Sequence, residues 1–216
     1  MNLTCTDPQP TAISTIELEP GLWTWSAFSP HHKVELRSHA CVDRGLISIF
    51  DPIPLAAGMI PPLFLGAGQA QIFLTNSNHP RDTVGWLRTV QDHLGETPKI
   101  ILPEMSPPGV EPLAKLGGWS SVALRGGAEF ETAYFHARRG LLVVGDALVN
   151  LPPRGLEILP AKYCTDQPLL QRSLQQILEL RLRRVLFAHG DSLTGARVQS
   201  LYDLIRTLPA VTNRPQ

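Results

Sequence analysis

The sequence predicts an α+β fold in which two mixed β-sheets pack face to face with helices outside. Three observations support this. Short runs of alternating or wholly apolar residues, parted by turn residues, fill the first fifty positions and recur in the second half. Apolar residues at helical spacing mark three further segments. The order of these pieces is strand hairpins, then strand–helix–strand, more strands, and strand–helix, which suits sheets covered by helices.

Ile13 to Leu18 is rich in β-formers and stops at the turn Glu19-Pro20-Gly21. Leu22 to Phe28 alternates Trp23 and Trp25 with Thr24 and Ser26, and Val34 to Ala40 alternates in the same way. Leu46 to Phe50 is a strand closed by Asp51-Pro52. Period-two alternation suits antiparallel hairpins with one wet face. Leu55 to Gly66 reads as a short helix or loop broken by Pro61-Pro62. Ala70 to Leu74 is a short buried strand, and Asp82 to Leu94 is a helix with Val84, Leu87, Val90 and Leu94 on one face. Asp82 stands at its N-cap or first turn and Gly95 at its C′ position. Lys99 to Leu102 is a strand, and Leu113 to Leu116 a single helical turn. Strands follow at Ser121 to Leu124, Phe130 to His136 and Leu141 to Val144. Pro168 to Leu182 is a helix with proline in its first turn. Arg184 to Ala188 is the last strand, and Gly195 to Leu208 a C-terminal helix facing Val198, Leu201, Leu204, Ile205 and Leu208 inward.

The chain of 216 residues shows no linker, repeat or charge block, so a single domain over 1–216 is expected, with 1–12 a loosely ordered N-terminal segment. Twenty prolines cluster in loops and imply long, ordered connections. Nineteen basic and nineteen acidic residues cancel, which gives no electrostatic footprint for nucleic acid or an anionic membrane. The basic run Arg181-Leu182-Arg183-Arg184 reads as a helix C-terminus whose cations complement the dipole. Cys5, Cys41 and Cys164 are odd in number and far apart, which suggests neither a disulfide framework nor a thiolate zinc site. Neither a secretory signal nor a membrane-spanning stretch is legible, so the cytoplasm is the expected compartment.

Five landmarks fall in a telling order: Glu19-Pro20-Gly21-Leu22-Trp23; Ile47 to Pro52, a strand ending in Asp; Ile72 to Asp82 with the following helix; Leu141 to Leu148, a strand ending in Gly-Asp; and Val185 to Ser192, a strand ending in His-Gly. Together they resemble the metallo-β-lactamase superfamily from about Ile16 to Leu208. That resemblance implies a four-layer αββα sandwich with a site at one sheet edge. It also implies one or two metal ions, often zinc, that polarise a scissile group and turn bound water into hydroxide.

The family's first metal loop reads Thr-His-x-His-x-Asp-His. Aligned on Thr75, its histidines fall on Asn76 and Asn78, its aspartate on Pro80 and its last histidine on Arg81. No histidine stands near Gly126 to Glu131, where another is expected. Asp146 matches the bridging carboxylate and His189 the final histidine, so two of about seven ligand positions persist in this resemblance. An amide is a poor zinc ligand, proline has no side-chain donor, and arginine brings a fixed cation to the place of a dication.

Asp146 and His189 are therefore the candidate catalytic residues. Asn76, Asn78, His79, Arg81, Asp82, Glu131, Lys162 and Tyr163 are candidate cleft or binding residues. Arg81 is expected to replace the metal by pairing with Asp146, alone or together with Glu131, or else to lie exposed at the helix start; Asp82 reads first as an N-cap. His31-His32 reads as a solvated hairpin tip, and His39, His93 and His136 as scaffold or surface. The expectation is a non-catalytic or binding homologue of metal-dependent hydrolases that holds no metal or other cofactor. The alternative is a divergent hydrolase with a reduced zinc or other divalent-cation site at Asp146 and His189, joined by His79 or Asp82, acting on a small ester, thioester or phosphate-like substrate. A small-molecule ligand fits both readings, and the apolar run Met59 to Leu65 offers a surface for a second copy of the chain.

Overall fold

The computed structural model describes residues 7–103 and 117–209; the helical turn expected at Leu113 to Leu116 and Cys5 lie outside them. The chain forms two compact units, Met1–Pro103 with Ala188–Gly190, and Glu104–Phe187 with Asp191–Gln216.

The first unit carries a six-stranded sheet of β1 (Ile16–Glu19), β2 (Leu22–Ser29), β3 (Val34–Asp43), β4 (Leu46–Phe50), β5 (Gln69–Phe73) and β6 (Lys99–Ile101), in that order. The strands through β4 are antiparallel, joined by the tight turns the sequence marks. From β4 onward pairing is parallel, because each strand is reached by a crossover. Leu55 to Gly66 resolves into two short 3-10 turns, Ala57–Met59 and Pro61–Phe64. Ala12 is buried and bridges Leu55.

Helix α1 (Thr83–Leu94) follows β5 and ends where Gly95 takes the left-handed conformation at φ 71° and returns its N–H to Gln91. Its buried face is Thr83, Trp86 and Val90, with Leu87 and Leu94 at the margin, whereas Val84 is exposed. The stripe expected from aliphatic spacing is thus rotated. Trp86 sets the rotation: its indole stacks on Trp25 with centroids 5.3 Å apart, and both indole N–H groups donate to the carbonyl of Ile53, at 2.9 and 3.2 Å. A large ring with one polar atom outweighs a branched aliphatic when that atom finds a buried acceptor.

The second unit carries β7 (Trp119–Ala123), β8 (Thr132–His136), β9 (Leu141–Val144), β10 (Leu148–Leu151), β11 (Gly155–Ile158), β12 (Arg184–Phe187) and β13 (Leu193–Thr194). Its five-stranded sheet runs β13-β12-β9-β8-β7, with β12 and β9 parallel and the other pairs antiparallel, and β10 and β11 form a separate hairpin. Wholly apolar β9 is fully buried, as its composition requires. Helix α2 (Gln167–Leu174) opens on Asp166, whose carboxylate accepts the N–H of Leu169 at 2.9 Å, with Pro168 in the first turn. It is shorter than the periodicity suggests. After Leu174 the chain tightens into a 3-10 segment, Gln175–Glu179, and leaves the helix at Leu180. Arg181 to Arg183 therefore form no helix terminus but join the 3-10 segment to β12, which Arg184 opens, and this corrects the sequence reading. Helix α3 (Gln199–Thr207) follows a 3-10 turn and buries Leu201 and Ile205 as expected.

The six- and five-stranded sheets are thus mixed and each unit has its own apolar core, which agrees with the α+β class read from the sequence. No helix among the described residues is long and apolar enough to cross a membrane. Trp86→Ala should lower stability by about 3–5 kcal/mol, read as a lower urea midpoint. Leu65→Ala, at a side chain 84% exposed, should stay within about 0.5 kcal/mol of wild type.

Candidate functional site

The candidate site in the first unit grows from two neighbouring strand ends. β4 and β5 run parallel and stop together at Phe50 and Phe73, and the N–H of Asp51 donates to the carbonyl of Phe73 at 3.0 Å. Asp51 then turns with φ at 45°, a left-handed conformation that short polar side chains tolerate best. Its carboxylate is buried. Oδ1 accepts the N–H of Thr75 at 2.8 Å, and Oδ2 accepts the Thr75 hydroxyl at 2.5 Å and faces His79 Nδ1 at 2.9 Å. Thr75 Oγ1 also lies 2.8 Å from His79 Nδ1. An ionised carboxylate only accepts, so Nδ1 of His79 carries a proton and donates it to Asp51. This is the orientation device of metal-ligating and proton-transferring histidines.

Burial alone would push the Asp51 carboxyl up. The charge and hydrogen bond of His79, the charge of Arg81 and the Thr75 hydroxyl outweigh it and hold the group below the usual carboxylate range.

Arg81 is buried, 5% exposed, and takes φ 39°. Its Nη1 donates to the carbonyls of Arg37 at 2.6 Å and Asp51 at 3.0 Å. The guanidinium thus ties strand-end carbonyls together inside the first unit, and the reading of Arg81 as an exposed residue at the helix start is corrected. Non-glycine residues with positive φ cost roughly 1–3 kcal/mol and gather at functional sites; Asp51 and Arg81 are two such residues in one network.

His189 belongs to the same unit. Its Nδ1 lies 3.0 Å from the carbonyl of Glu35, an acceptor that places the proton on Nδ1 here too. The rings of His79 and His189 meet edge to face, with centroids 5.8 Å apart and planes inclined at 70°. Two imidazoles are therefore held by the same device and brought together, although 110 positions separate them in the chain.

The rest of the loop is turned on itself. Asn76 is buried, and its Oδ1 accepts the N–H of Asn78 at 2.9 Å; Asn78 is exposed. Thr83 donates its hydroxyl to Pro80 at 2.6 Å. Asp82 stands at the N-cap of α1 as expected and sits against Gly85, where an added Cβ would lie 2.5 Å from both carboxylate oxygens; burial raises its pKa. At the β2–β3 turn His31 and His32 are exposed, each with Nε2 3.8 Å from Asp7 Oδ2. The His32 pKa is lowered by burial and by His31, with further lowering from His189 and Arg81, against a raising effect of Asp7. His39 and His136 are buried scaffold, and His93 lies at the surface against Phe64.

In the second unit Asp146 follows β9 and is half-buried. Glu131 is buried and accepts the N–H of Ala147 at 3.0 Å, so it braces the turn next to Asp146. Lys162 and Tyr163 lie on an exposed 3-10 turn, the ammonium 4.6 Å from the ring centroid.

Sequence reasoning missed the hub. Asp51 was legible as the polar end of an apolar strand, and Thr75 as the residue leaving the next one, but no spacing rule joins them across 24 positions. As donors for a metal, His79 and His189 fit. Asn76, Pro80 and Arg81 do not, and with them the first loop lacks the ligand set of a two-ion centre.

No family model and no curated protein matches the chain. Solved structures do. It is similar to DIM-1 metallo-β-lactamase in a crystal exposed to ceftazidime, with a TM-score of 0.64 at 13% identity over 93% of this chain and 99% of that one. It is also similar to a metallo-β-lactamase from Hirschia baltica, with a TM-score of 0.63 at 11% identity over 94% of this chain and 100% of that one. A metallo-β-lactamase family protein from Thermus thermophilus aligns with a TM-score of 0.52 at 18% identity over 88% of this chain and 80% of that one. The chain has the metallo-β-lactamase fold, at low sequence identity to these structures.

The lowered pKa of Asp51 fixes a pH dependence. Its stabilisation is fully present above the unfolded value of about 3.9 and fades as pH falls through the folded value. Asp51→Asn should cost about 3 kcal/mol at pH 7 in urea unfolding, and the gap from wild type should narrow below about pH 4.

Proposed function

We propose that this metallo-β-lactamase-fold chain is a reduced-site relative of the metal-dependent hydrolases, centred on His79 and His189 and acting on a small ester, thioester or phosphate-like substrate. One observation carries the reading: the two imidazoles lie 5.8 Å apart, each with Nδ1 on an oxygen acceptor. A histidine kept only for packing needs no such pairing, whereas a ligand or a base needs its tautomer fixed. A single divalent cation such as zinc is the group these donors suit, and when bound it would polarise the scissile bond and acidify water. The chain's own contribution is orientation. Asp51 steadies His79 and neutralises charge beside it, the Glu35 carbonyl steadies His189, and Nε2 of each ring is the atom that would hold the ion.

The buried guanidinium of Arg81 supports a second, non-catalytic reading. A fixed cation on the Asp51 carbonyl opposes a dication nearby, and Asn76 spends its side-chain oxygen on the N–H of Asn78 within the loop. Binding without turnover is then the function.

Titration of the purified chain with zinc and cobalt, followed by calorimetry and by the cobalt visible spectrum, separates the two. The reduced-site reading predicts one equivalent bound. His79→Ala and His189→Ala should abolish the tight phase, and Asp51→Asn should weaken it about 10–100-fold. Folded protein that takes up no metal in excess zinc, or uptake indifferent to His79→Ala, would overturn the reduced-site reading. In the first case p-nitrophenyl esters and thioesters are the substrates to test, with turnover lost in both histidine variants.

A further inference from the structure

The second unit holds a cavity of about 420 Å³ that the candidate site does not use. Its walls are the turn between β8 and β9, the segment entering β12 and one face of α3. Among the described residues four arginines line it, Arg138, Arg181, Arg183 and Arg206, and no acidic side chain does. In a chain of zero formal charge Arg181 and Arg183 give this wall a local positive excess, while Arg206 is offset by Asp203. The floor is apolar, made of Leu178, Leu180 and Leu182 with the ring of Tyr202.

The arginines stand on a fixed segment. The Tyr202 hydroxyl donates to the carbonyl of Leu180 at 2.6 Å and accepts the N–H of Leu182 at 2.9 Å. On the other side the N–H groups of Arg183 and Arg184 donate to the carbonyl of Gly140 at 2.7 and 3.1 Å. Gly140 has φ 58°, and a Cβ there would come within 2.9 Å of the Arg181 carbonyl, so only glycine lets the two chains approach this closely. Along this strap Leu180 and Leu182 turn toward the core while Arg181 and Arg183 are exposed. Among the described residues neither arginine side chain makes an ion pair. Arg206 is shared with Asp203 at 3.1 Å in an exposed pair and spans the Tyr202 ring at 5.8 Å.

We propose that this cavity binds a small phosphate-bearing molecule with an apolar or aromatic portion. Guanidinium forks match phosphate oxygens two by two, which favours arginine over lysine at such a place. The volume lies at the small-molecule end of ligand pockets, and the leucine and tyrosine floor suits a ring or short apolar body. The proposal is independent of the histidine site, because it rests on different residues of the other unit.

Calorimetry with metal-free ATP as the probe, at low ionic strength, tests it. Binding is expected, weakened by added salt and weakened at least about tenfold in the double variant Arg181→Ala/Arg183→Ala. Both side chains are exposed, so the variant should keep the wild-type circular dichroism spectrum and urea midpoint. Adenosine, without phosphate, should bind far more weakly than ATP, and inorganic tripolyphosphate, without the ring, should also bind less well. No binding of ATP at millimolar concentration, or affinity unchanged in the folded double variant, would overturn the proposal. Adenosine binding as tightly as ATP would also overturn it, and tripolyphosphate matching ATP would remove its apolar half.

Discussion

A single buried carboxylate, that of Asp51, organises the first unit's functional end. It joins two parallel strand ends through Thr75, fixes the ring of His79 and lies beside the guanidinium of Arg81. A carboxylate taken out of water is costly unless every lone pair finds a donor, and here donors from the backbone, a hydroxyl and an imidazole converge on it. The loop from Thr75 to Arg81 is therefore shaped by the need to satisfy Asp51, and the position of His79 follows from it.

That explains how a loop without the metal-loop pattern still presents an imidazole to the interior. Position by position, the loop reads as amides, proline and arginine where metal donors should stand. In three dimensions His79, which aligns with no ligand, faces His189, which aligns with the last one. Arg81 meanwhile ties the β3 and β4 backbone together through the carbonyls of Arg37 and Asp51. One loop thus combines the placing of a histidine with a structural duty for a cation.

Much of the fold was legible because strands and helices announce themselves locally. Leu46 to Phe50 and Leu141 to Val144 fall where their composition puts them, and Gly95 closes α1 where a terminating glycine belongs. The failures are those of nonlocal packing. Trp86 turns α1 about its axis because Ile53, far away in sequence, offers it a carbonyl. Leucines at helical spacing beyond Leu174 suggest a longer α2, but Leu180 is extended and bonded to Tyr202, so the basic run becomes a strap over a cavity instead of a helix end. The short β10–β11 hairpin, with little alternation, gave no signal at all. His189 and Asp146 were named by resemblance, whereas the Asp51 hub is joined only by nonlocal contacts that no spacing in the sequence reveals.

The orientation of His79 depends on the proton that its Nδ1 shares with Asp51. Nitrogen-15 correlation spectra of the histidine rings at neutral pH measure this directly. They should show His79 protonated at Nδ1, with that proton lost from its hydrogen-bonded position in Asp51→Asn. A spectrum with Nδ1 unprotonated and the proton on Nε2 would contradict the account, since the carboxylate would then not be the group that orients the ring.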